Sequence, residues 1–403
     1  MTRENIVVVG AGIAGLTAAT YLARAGARVR LLEKSKHLGG RARTNVHSGF
    51  HLNQGPHALY AAGAGRAVLD DLGIAFRGTK VVGRGHALRR GRMHTLPIGL
   101  LSMLSTGLFG LTAKIQAART LAALPGLDTR AFMDISYREW VERACDVPVV
   151  REFLHASGRL ATYLHAPDRM PAGVVLQQLQ IGFTHGVFYL DGGWQTLIDG
   201  LRTACTAAGV AIESGTRVDR LGDLHADAVV LATDPTTAGR LLGREFTGLV
   251  AARAACLDLA LRELPRPNHT FALGIDTPVY YSVHTHYADL SPARGAVVHV
   301  ARYLAPDEKP APGPMCEQLE AILDQLQPGW RSQVVHQRFL PRIVVSHAMP
   351  TLAGRPGCAA GDRVFLAGDW VGEEGLLADA AFASGRRAAR LILSRGQEEA
   401  RAA

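Results

Sequence analysis

The chain has 403 residues, 48% hydrophobic and 20% charged, which excludes overall disorder and suits two domains rather than one. Its formal net charge of +9 raises nucleic acid or an anionic surface as a partner, but only five of the 44 basic residues are lysines. The arginines are dispersed, with no dense basic run and no interleaved aromatics, so nucleic-acid binding is not expected. Five cysteines (Cys145, Cys205, Cys256, Cys316, Cys358) form no C-x-x-C pair. They fit reduced thiols in the cytoplasm, and neither a disulfide scaffold nor a structural metal site is expected.

Met1–Asn5 leads straight into the apolar run Ile6–Val9, which leaves no room for a secretory leader. That run predicts a parallel strand buried on both faces. Gly10–Gly15 follows as a glycine-rich turn, Leu16–Ala25 as a helix ending at Gly26, and Val29–Glu33 as a second strand. Residues 61–190 read as largely helical, with helices expected at 98–123, 131–144, 149–164 and 171–181. Within them Met93–Ala113 has no Asp, Glu, Lys or Arg over 21 residues. Pro97, three glycines and five Ser/Thr dilute that stretch, so a buried or surface-dipping helical hairpin is expected there rather than a membrane span. A peripheral membrane contact through 93–113 stays open.

Gly193–Ala208 reads as a helix, and Val210–Glu213, Arg217–Leu221 and Ala228–Thr233 as strands. Residues 250–345 are strand-rich, with Ala255–Leu261, Val279–His286, Ala296–Tyr303 and Val334–Phe339 expected. Ala305–Pro314, with four prolines, is expected as a loop. Arg363–Ala367 closes as a strand before a helix over Leu376–Leu393. The economical architecture is α/β: a Rossmann-like dinucleotide-binding domain from 1–60, 190–249 and 350–403. It is interleaved with an α+β substrate domain from 61–189 and 250–349.

Gly10-Ala11-Gly12-Ile13-Ala14-Gly15 is a G-x-G-x-x-G between a strand and a helix. The first glycine permits the tight turn, the second lets backbone approach a pyrophosphate, and the third lets helix pack on strand. Glu33 follows at the end of the second strand, where a carboxylate accepts both ribose hydroxyls. Gly39-Gly40-Arg41-Ala42-Arg43-Thr44 comes next. Together these resemble the fingerprint of the superfamily of flavin-dependent amine oxidases, protoporphyrinogen oxidases and phytoene desaturases. Gly49–His57, Gly192–Leu197, Thr216–Val218, and Leu366–Asp369 with the helix start at Gly375–Leu377 resemble its further flavin segments.

The resemblance implies non-covalent FAD, with contacts from Gly10, Gly12, Ala14, Gly15, Glu33, Lys34, Gly40, Arg41, Pro56, His57, Val218, Gly368, Asp369 and Leu377. Arg41 would take a phosphate-side role, Asp369 the ribityl chain, and the last helix would point its N-terminus at the flavin edge that gains negative charge. Two departures bear on the chemistry. Cys358 is too close to Gly368 to carry the flavin as a thioether. Ala254–Ala260, where the amine oxidases place a lysine, has none.

No catalytic dyad is evident, and hydride transfer to a flavin needs none. His57 is the nearest candidate, either touching flavin or substrate or serving as a hydrogen-bonded turn histidine. His284 and His286 would share a face if their strand ran through both, lining a pocket rather than holding a metal. His155, His165, His185 and His347 read as satisfied buried residues, and Trp140 and Trp194 as packing residues. The expected activity is dehydrogenation of a small lipophilic substrate at flavin N5, forming C=C. The alternatives are amine oxidation to C=N, aromatic hydroxylation, and a flavin-stabilised lipophile carrier without turnover. Oligomeric state is left open.

Overall fold

The computed structural model describes residues 4–82 and 84–402. The expectation drawn from Met1–Arg3 lies outside the described residues. Asn5–Val9, Arg28–Glu33, Ala211–Ser214, Ala228–Leu231 and Val364–Leu366 form one parallel sheet. Their spatial order is 211–214, 28–33, 5–9, 228–231, 364–366, so three distant stretches of chain meet in it. Both faces are covered, as the unbroken apolar runs require. Ile6, Val8, Val29, Leu31 and Val230 pack beneath helices Ile13–Arg24, Gln195–Ala207 and Leu377–Ala402. Val7, Val9, Val229 and Leu231 pack on the other side against Leu241, Val371 and the buried Trp370. Gly15 permits the close seat of the first helix: a Cβ there would lie 1.8 Å from the Gly10 carbonyl oxygen.

The second sheet has seven strands, in the order 334–349, 250–261, 296–304, 279–283, 271–274, 86–89, 92–95. All pairs are antiparallel except 271–274 with 86–89. Alternation splits its residues cleanly. Leu257, Leu259, Val298, Val300, Tyr281 and Val283 pack on Leu319, Leu323 and Leu326 of helix Pro312–Leu326. Ala254, Cys256, Tyr280, Ala301 and Tyr303 turn to the opposite face. Helices Tyr137–Ala144, Pro148–Thr162 and Ala172–His185 build a third cluster beside this sheet.

Several expectations are corrected. Residues 61–190 also hold the strands Gly78–Lys80, His86–Arg89, Arg92–Thr95 and Val187–Leu190. The helix expected at 98–123 is two, Leu100–Ser105 and Leu111–Ala123, parted at Gly107 and Gly110. So 93–113 holds a strand end, a short helix and the first turn of a second helix. Among the described residues no helix is long and apolar enough to cross a membrane. Arg217–Leu221 is not a strand, because Gly215 turns the chain at φ +75° after Ser214. The proline-rich loop ends at Ala311. Pro312 and Pro314 open a helix, where a missing N–H costs nothing.

Candidate functional site

A cavity of about 1050 Å³ runs from the C-terminal ends of the parallel strands to the polar face of the second sheet. It lies where a doubly wound sheet offers a crevice to ligands. Every residue assigned to the cofactor from sequence lines it except Gly15, whose role is the helix packing described above.

The glycine side has the shape of a phosphate cradle. A Cβ built on Gly12 would meet no atom within 4 Å, and one on Gly40 would meet only the Gly12 Cα at 4.0 Å. The two glycines therefore leave open space between them, at the N-terminus of helix Ile13–Arg24, whose first amides lack helical partners. Glu33 accepts the Ala11 N–H at one oxygen and the Ser35 N–H at the other, both at 2.8 Å. This fixes the carboxylate while leaving each oxygen a lone pair for a ribose hydroxyl. Lys34, Val218 and Pro56 line the same space, and the Val218 carbonyl accepts from Arg240 at 3.1 Å.

Arg41 lines the cavity and is paired within the protein. Its guanidinium grips both oxygens of Asp369 at 2.7 and 2.9 Å and also reaches the Val345 carbonyl. His347 adds its N–H at 2.8 Å and Nδ1 at 3.1 Å to the same carboxylate. Burial alone would raise the Asp369 carboxyl, but Arg41 and His347 reverse this and hold it well below the usual carboxylate range. Asp369 is thus an ionised anchor at the cavity wall, and His347, read from sequence as a plain buried histidine, belongs to the site. Gly368 and Leu377 also face the cavity. Leu377 begins the last helix at φ +55°, a strained conformation for a branched residue. Arg355 pins the loop before it by donating to the carbonyls of Asp369, Gly372 and Gly375.

His57 stands in the cavity wall with Nδ1 3.0 Å from the Gly55 carbonyl and its ring edge-on to Trp194 at 5.0 Å. Burial pushes it down to about 4, so it is neutral near pH 7. This geometry is that of the hydrogen-bonded turn histidine. The expected pairing of His284 with His286 fails. Their strand ends at Val283 and a 3-10 turn follows, burying His284 while His286 is exposed. His185 is exposed as well, contrary to its buried reading. His155 and His165 do keep ring nitrogens buried, each with an unpartnered Nδ1.

The opposite side of the cavity is apolar with phenolic hydroxyls. Leu96, Ile98, Phe153, Leu160 and Phe271 line it together with Tyr60, Tyr163, Tyr189 and Tyr280. Burial pushes the pKa of all four phenols up, so they stay neutral near pH 7. Tyr163 holds φ +58° at the end of helix Pro148–Thr162, a second strained residue on the cavity wall. Cys256 lines this side, whereas Cys358 is buried elsewhere. Beneath Cys256, and unremarked in the sequence, lie the buried Asp258 and His299. No local pattern marks them, because strand register alone brings them together.

Comparison with known proteins gives short matches in sequence and whole-chain likeness in structure. Residues 8–72 match the family described as NAD(P)-binding Rossmann-like domain. A carotenoid 3,4-desaturase of Haloarcula japonica is 54% identical over 56 residues, 14% of this chain and 11% of that protein. A coproporphyrinogen III oxidase of Propionibacterium freudenreichii is 35% identical over 105 residues, 25% of this chain and 20% of that one. An L-amino-acid oxidase of Naja atra is 52% identical over 58 residues, 14% and 11% of the two chains. These matches thus span no more than a fifth of the curated relatives' lengths. Whole-chain likeness is structural. An oxidoreductase from Methanosarcina mazei superposes with a TM-score of 0.76 at 18% identity over 95% of this chain and 99% of its own. A putrescine oxidase variant gives 0.71 at 16% identity over 98% and 99%. A Rab GDI of Plasmodium falciparum gives 0.63 at 11% over 96% of each, so the fold also serves a protein not named as an oxidoreductase. The chain therefore shares its fold with these solved proteins, and its first part is Rossmann-like.

Proposed function

We propose that this chain is a flavin-dependent oxidoreductase that binds FAD non-covalently and dehydrogenates a lipophilic organic substrate. The observation that carries this reading is the continuity of the cavity. An open glycine cradle with an acid for ribose passes without a partition into an apolar wall. FAD, when bound, supplies the hydride acceptor. Gly12, Gly40 and the first helix would hold its phosphates, Glu33 its ribose, and Asp369 with Leu377 the end nearest the flavin ring. The placement of Cys358 away from the cavity supports non-covalent attachment. Residues 1–60, 190–249 and 350–403 would form the cofactor unit, and 61–189 with 250–349 the substrate unit.

Carbon–carbon desaturation is favoured because the strand Val250–Leu261 presents Cys256, and no lysine, to the cavity. Lys80 does line the cavity, but from the separate strand Gly78–Lys80. Amine oxidation to C=N is the second reading, supported by the four tyrosines, whose ring faces suit a cation. The test is anaerobic mixing of FAD-loaded protein with phytoene in micelles, coproporphyrinogen III, an L-amino acid or putrescine while following the visible flavin absorbance. Bleaching by phytoene or the porphyrinogen is expected. Bleaching by amines alone would transfer the assignment to the second reading. A flavin that only light reduces would mark a carrier without turnover.

The substrate's route is proposed to be a cytoplasmic membrane surface. Leu100, Leu101, Leu104, Leu111 and Ile115 are exposed, between 47% and 82%. Lys114 donates to the Leu104 carbonyl among them. Leu96 and Ile98, just before this patch, line the cavity. An exposed apolar cluster of this size with a cation suits an anionic bilayer. The protein should sediment with anionic phospholipid vesicles, and the triple variant Leu100→Ser, Leu101→Ser, Leu104→Ser should not. Equal sedimentation of both would remove this part of the proposal.

A further inference from the structure

Strand register sets four polar residues in one row across the second sheet. Arg338 stands opposite Asp258, Asp258 opposite His299, and His299 opposite Ser282. Residues so opposed on antiparallel neighbours share a face, with Cβ atoms about 5 Å apart. Asp258 and His299 are completely buried. His299 Nδ1 lies 2.7 Å from one Asp258 oxygen, and the Arg338 guanidinium lies 2.6 Å from the other. Burial alone would raise the Asp258 carboxyl, yet the His299 hydrogen bond and the Arg338 charge oppose this, and it is held below its ordinary value. In a neutral imidazole, an Nδ1 hydrogen given to the carboxylate leaves Nε2 as an acceptor. That Nε2 is buried without a partner, an arrangement native structures rarely leave unexplained.

The other end of the row leads to the cavity. Ser282 lines the cavity, and its Oγ accepts from the Tyr280 hydroxyl at 2.8 Å. Tyr280 in turn lies 3.1 Å from the Tyr189 hydroxyl. Having accepted, Ser282 keeps a hydrogen to give, and His299 is its cross-strand neighbour. We propose that the Asp258–His299 pair is the proton acceptor of this cavity, reached through the hydroxyls of Tyr280 and Ser282.

This rests on the dehydrogenation reading, in which two bonds to hydrogen break. One hydrogen leaves with its electron pair as hydride to the flavin, the oxidant. The hydrogen on the neighbouring atom leaves as a proton, and its bonding pair becomes the new π bond. The proton passes to Tyr280 Oη as Tyr280 gives its own to Ser282 Oγ. Ser282 gives its own to His299 Nε2, leaving an imidazolium beside the Asp258 carboxylate. Tyr280 touches substrate and is the catalytic residue, whereas Ser282, His299 and Asp258 act through it. Because burial disfavours a phenolate at Tyr280, the proton must be handed on rather than stored there.

The groups facing His299 are few in kind. Asp258 comes from the adjoining strand and Arg338 from the strand beyond it, the His284 ring is 4.4 Å away, and His57 lies beyond on the segment after Gly55. Burial keeps both of those histidines neutral. The pair is also tied to the segment that carries Pro56 and His57. Asp258 accepts the Gly55 N–H at 3.3 Å, and Arg338 donates to the Asn53 carbonyl.

The test uses full-length FAD-loaded protein, wild type and the variants His299→Gln and Ser282→Ala. In protein labelled with nitrogen-15 histidine, one signal absent from His299→Gln should report a bare Nε2 that accepts a hydrogen bond, and Ser282→Ala should shift it. Protonation of both nitrogens, or a signal that Ser282→Ala leaves unmoved, would overturn the relay without reference to any substrate. With whichever of the four compounds bleaches the wild-type flavin, both variants should slow bleaching by about 100-fold. FAD affinity and photoreduction should be unchanged. Bleaching within about twofold of wild type in both variants would equally overturn the relay. If no compound bleaches the wild-type flavin, the dehydrogenase reading fails on its own, and the nitrogen spectra still decide the proton acceptor. Ser282→Ala leaves Asp258 and Arg338 untouched, so it serves even where His299→Gln does not fold.

Discussion

The two walls of the cavity are built by different means. The glycine wall is backbone, drawn from residues close in sequence: Gly10 to Ala14, Glu33, and Gly40. The sheet wall is side chains, and its key contacts join residues 41 positions apart (Asp258–His299) and 80 apart (Asp258–Arg338). Backbone cradles depend on local conformation, so a short motif specifies them. A polar row across a sheet depends on register, which the whole set of strands determines together. The first wall suits a cofactor shared by many enzymes, and the second can change with the substrate.

The contrast is sharpest at two neighbouring glycines. Gly15→Val should abolish folding, since its Cβ would fall 1.8 Å from the Gly10 carbonyl oxygen with Ala232 also in contact. Gly12→Val projects into open space from an ordinary φ of −81° and should melt as wild type does while losing FAD binding. Thermal melts and FAD titration check both. A Gly12→Val protein that binds FAD normally would break the account of the cradle.

On the sheet wall, Asp258→Asn leaves the fully buried His299 and the partly exposed Arg338 without their anion, which should cost about 3–5 kcal/mol near neutral pH. The sign of its pH dependence follows from Asp258 being held below its ordinary value. Its stabilisation is complete above about pH 4 and is lost as the pH falls through the folded value. Denaturant melts should therefore show a full gap from wild type at neutral pH that closes in acid. A gap that widens in acid would contradict the ionised pair.

A smaller effect of opposite sign is expected at the start of the last helix. Asp379 sits in the first turn of the last helix, where the dipole favours an anion, yet burial pushes it up to about 7. A raised carboxyl stabilises fully below about pH 4, and that stability falls as the pH climbs towards the folded value. Asp379→Asn keeps an oxygen for the Gly65 N–H, now 2.8 Å from Oδ1, and removes the penalty. It should exceed wild-type stability by about 2–4 kcal/mol at about pH 8 and match it in acid. Equal curves across the range would place Asp379 in a better solvated setting.

Legibility in the sequence follows the same division. The strand–glycine–helix start, Glu33, Gly40 and the Gly368–Asp369 turn were readable because each is a short pattern with a mechanical reason. Arg41 was noticed but its partner was not, since nothing local shows that Asp369, 328 residues later, takes its guanidinium. His347 and Arg355 escaped for the same reason. His284 and His286 were misplaced because alternation was assumed to continue past Val283, where the backbone coils into a turn. Asp258 passed as one polar residue in an apolar strand, although a buried carboxylate needs partners, and that need was the one signal that could have flagged it.

The measurement that bears most directly on this account is a crystal structure of the FAD complex. The account predicts the pyrophosphate between Gly12 and Gly40, with the flavin ring reaching the part of the cavity that Tyr280 and Ser282 line. FAD lying elsewhere, or a ring turned away from that polar row, would contradict the division of the cavity into a cofactor wall and a proton-accepting wall.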